Sequence, residues 1–164
     1  MIHSVQHFVS YFAGVRRRTL NYVRAIPADQ MDWSPKPGEL TCGDLIRHLA
    51  AAERMFTTVA LGGAWHYRGH DSVGARTLEE TIAHLESAHA EATAALAKMS
   101  DADLEEPRPS LQGPPAKAWR WLMAMTEHEV HHRSQIATYL ALMGVEPPQI
   151  YGLKIEDIIA LTTT

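Results

Sequence analysis

Residues 116–143 read AKAWRWLMAMTEHEVHHRSQIATYLALM, a run with no glycine or proline. Within it Trp121, Met125, His128, His132, Ile136, Tyr139 and Met143 recur at spacings of three and four. That is the period of one helix face. The spacing therefore predicts one long helix carrying two histidines, a turn apart, on an apolar stripe. Gly144 can end it in a left-handed residue, and Pro147-Pro148 prevent its resumption.

Working outward, three further segments show the helical period and none shows a convincing strand pattern. The first spans Ile2 to Ala25 and ends at Pro27 and Asp29. The second begins at the N-cap Thr41, with Asp44 completing a capping-box pattern, and stops at Gly62-Gly63. The third is capped by Thr77 and Glu80 and runs to about Ser100. The tail from Ile150 adds a short helix around Glu156–Leu161. The expected fold is all-α, a four-helix bundle, and the absence of a linker or repeat makes residues 1–164 one domain. The connection between the second and third helices is longer than a tight hairpin needs, so it can cross one end of the bundle and leave those helices parallel.

Composition narrows the function classes. The formal net charge is −4 and the one basic run, Arg16-Arg17-Arg18, is short, which argues against nucleic acid as a partner. No apolar run is long enough for a bilayer. The N-terminus lacks the pattern of a signal peptide, so the expected compartment is the cytoplasm. The lone cysteine, Cys42, allows no internal disulfide and no thiolate metal cage, and it reads as structural or incidental.

Ten histidines are the oddity, and helical faces sort them. His48 lies on the stripe Leu45, His48, Ala52, Met55, Val59. His128 and His132 share the stripe quoted above, whereas His131 lines up with Glu127, Gln135 and Thr138 on a polar flank. His3 and His7 share a solvated face with Ser10, Gly14, Arg17 and Asn21. His84 lies with Glu80, Ser87 and Glu91, and His66 and His70 stand in a loop. His89 falls on the apolar stripe of the third helix, either as a core histidine bonded to a neighbour or as a site residue.

Three inward histidines are hard to explain by packing, because each buried ring needs a partner. A polar cluster of bonded histidines is the plain alternative. A shared divalent cation satisfies all three lone pairs together, and three neutral ligands leave open positions of the kind a catalytic site keeps. His48, His128 and His132 are the candidate metal ligands. Glu53 points toward an apolar neighbourhood, where it either orients a ligand imidazole from outside the ion's own shell or pairs with a cation such as Arg16 or Arg54. Arg47 falls on a wetter face. His128-Glu129-Val130-His131-His132 also fits H-E-x-x-H, the zinc-protease pattern in which the glutamate is a general base. Gln135 stands where the longer pattern needs glycine, and Glu129 reads as a solvated helix residue. Tyr139 reads as core with a bonded hydroxyl, and Gln135 as a residue within reach of a substrate.

Taken together, Trp33-Ser34-Pro35-Lys36-Pro37-Gly38, Asp44-Leu45-Ile46-Arg47-His48-Leu49 with Glu53, His128 through Ile136, and Gly144-Val145-Glu146-Pro147-Pro148 resemble the DinB/YfiT-like superfamily. Ser134 departs from the glycine that many members carry. The resemblance implies an up-down-down-up bundle, a metal triad at His48, His128 and His132, nickel or zinc as the ion, and a homodimer. The superfamily the chain resembles includes metal-dependent thiol transferases and a thiol-dependent isomerase that use low-molecular-weight thiols, and a metal could also ionise water. The expected function is therefore an enzyme acting on a small molecule, either a hydrolase or a low-molecular-weight-thiol S-transferase. A non-catalytic metal-binding or stress-response bundle, or a dimerisation module, stands as the alternative.

Overall fold

The computed structural model describes residues 2–71 and 74–163. Helix α1 is Val5–Arg24, α2 is Cys42–Ala60, α3 is Leu78–Leu96, α4 is Ala118–Leu142 and α5 is Ile155–Thr162. Local chemistry sets the ends. Thr41 and Asp44 exchange side-chain and backbone hydrogen bonds at the start of α2, and Thr77 and Glu80 do the same for α3. Each box satisfies donors the helix itself leaves unpaired. At the end of α4, Gly144 takes φ +77°, a left-handed turn open to glycine without steric cost. Its N–H then reaches Ala141 O at 3.1 Å, and that of Val145 reaches Leu140 O at 2.9 Å.

The pairings across the bundle fix the helix directions. Arg16 on α1 meets Glu129 on α4, and Val5 and Phe8 share a cluster with Leu122 while Leu20 and Val23 share one with Ile136 and Leu140. So α1 and α4 are parallel. The Val5 amide meets Asp101, just beyond α3, and Arg24 meets Glu86, so α1 and α3 are antiparallel. Tyr139 bonds Leu40, and Thr57 meets Met125, which sets α2 against α4. Glu53 with His89 and Arg54 with Glu91 set α2 alongside α3. The topology is up-down-down-up, with the α2–α3 connection crossing from one end to the other.

Two apolar clusters occupy the two ends. Leu20, Val23, Leu45, Ile46, Leu49, Leu85, Ile136 and Leu140 fill one. Val5, Phe8, Phe12, Leu104, Leu122 and Met125 fill the other. The polar layer lies between them. Among the described residues no helix is long and apolar enough to cross a membrane.

Two local features differ from the sequence expectation. Helix α3 stops at Leu96, and Ser100 caps a separate 3-10 turn over Asp101–Glu105. The connection that follows pairs β1, Pro107–Arg108, with β2, Ala116–Lys117. Strands of two residues are too short for a period of two to register in a sequence.

Candidate metal centre

Helices α2 and α4 face each other along the stripes that carry the three histidines. His48 Nε2 lies 2.9 Å from His128 Nε2 and 3.1 Å from His132 Nε2, and the last two are 3.1 Å apart. The nitrogens form a nearly equilateral triangle. Each contact in it is favourable only between an N–H and a lone pair. A triangle cannot alternate the two, so at least one edge sets like against like whatever the tautomers. The spacing also fits an ion. With nitrogens about 2.1 Å from a metal, two of them at a right angle stand about 3.0 Å apart and at the tetrahedral angle about 3.4 Å apart. The three histidines could thus hold a divalent ion on one face, leaving the opposite positions to other ligands.

The electrostatics suit metal ligation. Burial, helped by His132 and His70, pushes the His48 imidazole down to about 4. Burial, with His132, His48 and His131, pushes His128 down to about 3. His132 is lowered too, chiefly by burial, although its bond to Gln135 opposes the shift. All three rings are neutral at pH 7 and keep a lone pair to offer.

Neighbouring groups choose which nitrogen faces inward. His132 Nδ1 lies 2.5 Å from Gln135 Oε1. A carbonyl oxygen only accepts, so Nδ1–H donates and Nε2 is left as the inward lone pair. His48 Nδ1 lies 2.7 Å from the Tyr67 hydroxyl, which in turn lies 3.1 Å from His70 Nδ1. Trp65, two residues before Tyr67, packs at 5.8 Å from the Phe56 ring and 5.0 Å from that of Trp121. The α2–α3 connection therefore covers the His48 side of the triangle.

Arg47 explains why that connection sits there. It was expected on a wet face but is buried. Its guanidinium donates to His70 O at 3.0 Å, to Ala75 O at 2.9 Å and to Asp44 at 2.7 Å. The long connection, not solvent, receives that flank of α2. Tyr67 and His70 went unrecognised in the sequence because no helical period applies to the loop that bears them.

The remaining candidates fall elsewhere. Glu53 contacts no ligand imidazole; it accepts from His89 Nδ1 at 2.7 Å and pairs with Arg16 at 2.8 Å. His89 is accordingly a bonded core histidine and not a fourth ligand. Glu129 is 2 % exposed rather than solvated. Arg16 donates to both its oxygens, at 2.8 and 2.6 Å. That corrects the surface reading and removes Glu129 as a general base of the H-E-x-x-H kind. Burial alone would lower the Arg16 pKa, but Glu129 and then Glu53 raise it above its ordinary value. A sequence signal for this existed: Arg16 continues the Phe8, Phe12, Val23 stripe, and Glu129 the Leu122, Ile136, Leu140 stripe. His131, His3 and His7 are exposed. The Tyr139 hydroxyl donates to Leu40 O at 3.0 Å. Burial pushes the Cys42 thiol up to about 11, so it is no nucleophile at neutral pH.

Residues 11–136 match the sequence model of the DinB superfamily. No functionally curated protein matches the chain. Among solved structures, a DinB-like protein of Bacillus cereus superposes with a TM-score of 0.79 at 17% identity, covering 91% of this chain and 99% of that one. A DinB-like protein of Bacillus subtilis superposes with a TM-score of 0.72 at 18% identity, covering 88% of this chain and 97% of that one. At such identities the likeness speaks for the fold.

Proposed function

The chain belongs to the DinB superfamily, and from that fold and its histidine triangle we propose a divalent-metal-dependent enzyme acting on a small molecule. The observation that carries the reading is the triangle of Nε2 atoms at 2.9–3.1 Å, which no arrangement of protons satisfies. His48, His128 and His132 are the ligands. Nickel or zinc would each suit a set of three imidazole ligands. A bound ion would supply Lewis acidity toward water or a thiol, which suits a hydrolase or a low-molecular-weight-thiol S-transferase. The residues do the rest: Gln135 and Tyr67 orient the ligand rings, and Phe56, Trp65 and Trp121 make an apolar wall beside His128. The commitment of His89 to Glu53 supports an open site over a closed structural one.

Elemental analysis of untagged protein tests the ion. Wild type is expected to retain about one nickel or zinc per chain, and His128→Ala to lose it. Metal content unchanged by that substitution overturns the assignment. The loaded protein is then offered an electrophile with glutathione, bacillithiol or mycothiol, and in parallel a panel of esters and amides. Conjugation selects the transferase, hydrolysis selects the hydrolase, and turnover of neither returns the protein to the non-catalytic metal-binding reading.

A further inference from the structure

The connection after α2 has a second face. Residues 64–69 form no helix or paired strand. Trp65 and Tyr67 turn toward the histidines, whereas His66, Arg68 and Gly69 line a separate cavity of about 730 Å³ between α2 and α3. A volume of that order holds a small organic molecule. None of the three candidate metal ligands lines it.

Its chemistry is divided. Ala51, Met55 and Leu61 of the α2 side and Ala92 and Ala95 of α3 give it apolar walls, and the short alanines leave the space. Arg54, Arg68, His66 and His84 place two guanidinium and two imidazole groups around one carboxylate, Glu91. Counted with neutral histidines, as in the chain's formal net charge of −4, the lining carries two guanidinium charges against one carboxylate. Arg54 is held in place: Nε and Nη2 donate to Glu91 at 2.9 and 3.1 Å, and Nη1 meets His84 Nε2 at 3.3 Å. A guanidinium has five N–H donors, so Arg54 keeps donor capacity while its orientation is fixed. A fixed guanidinium beside an apolar wall recognises an anion with a hydrocarbon body better than it recognises a bare ion or a neutral lipid-like molecule.

We propose that this cavity is a binding site for a small amphiphilic anion, a carboxylate or a phosphate monoester, with its head at Arg54 and Arg68 and its chain on Ala51, Met55, Ala92 and Ala95. The site is independent of the metal centre. The test is calorimetric titration of metal-free protein with hexanoate, hexyl phosphate, inorganic phosphate and hexanol. One of the two amphiphilic anions is expected to bind saturably, at least about tenfold tighter than inorganic phosphate or hexanol; which one wins identifies the head group. Arg54→Met and Arg68→Met are each expected to weaken it about tenfold, and Ala95→Leu to abolish it by filling the space while the circular dichroism stays that of wild type. His128→Ala is expected to bind as wild type does, so loss of the metal site leaves the result intact. Binding of hexanol as tightly as hexanoate, absence of saturable binding, indifference to both arginine substitutions, or loss of binding in His128→Ala would each overturn the proposal.

Discussion

Two polar clusters sit in the middle of this bundle, and they are built on opposite principles. One is a chain of four, His89–Glu53–Arg16–Glu129, with one member from each of the four long helices. Donors and acceptors alternate along it: His89 and Arg16 donate, and Glu53 and Glu129 accept. The other is the triangle of His48, His128 and His132, all of one kind, in which alternation is impossible. The first finds its partners within the protein and ties the helices together, with Glu53 Oε2 meeting Arg16 at 2.8 Å as an ion pair and not as a hydrogen bond. The second leaves at least one edge with like against like, and its three nitrogens could hold an ion. A buried polar group thus signals function when its neighbours cannot satisfy it, and structure when they can.

The sharpest way to break this contrast is Arg16→Met. It leaves Glu53 and Glu129 buried without their shared cation, and the expected loss is about 3–5 kcal/mol in urea unfolding, with or without metal. A wild-type midpoint would show that the chain of four holds nothing together. His128→Ala should do the reverse. Removing one corner ends the unfavourable contact, so the metal-free protein should unfold within about 1 kcal/mol of wild type, while affinity for nickel or zinc falls more than about a hundredfold. Unfolding of that variant comparable to Arg16→Met would erase the distinction between the clusters.

Smaller effects refine the triangle itself. Tyr67→Phe and Gln135→Leu leave all three ligands in place but release the rings they orient, so each should weaken metal binding about tenfold to a hundredfold. Competition titration with a chromophoric chelator reads this directly, and unchanged affinity in both would show that the rings need no outside guide.

The gentlest test is pH. In the unfolded chain the histidines take up protons near the ordinary imidazole value of about 6.5. In the folded, metal-free protein His48 waits until about 4 and His128 until about 3. Across that interval the unfolded state binds more protons, so stability is full above about pH 6.5 and falls as the pH drops toward 4. His128→Ala should flatten the slope. An equal slope in the variant would place the titrating groups elsewhere.

The four helices, both capping boxes and the glycine stop after α4 were legible because they depend on neighbours within a turn or so. The inward stripes of His48, His128 and His132 were legible for the same reason. Sorting by face went wrong where the facing element was not itself periodic. Arg47 points at a loop that only the fold brings across α2, so its flank looked wet. Glu129 looked like a surface charge because a lone charge on an apolar stripe makes sense only beside its partner, Arg16, 113 residues away. Arg16 itself was legible only as one of two possible partners of Glu53.

The sequence alone therefore determined which residues form helices, which faces turn inward, and that three histidines share those faces, since periodicity and caps are written in local spacing. Only the tertiary structure decided that those histidines close into an unsatisfiable triangle, that Glu53 and Glu129 are spoken for by Arg16, and that one loop seats Tyr67 against the triangle. Those facts depend on distances between helices, which local spacing does not contain.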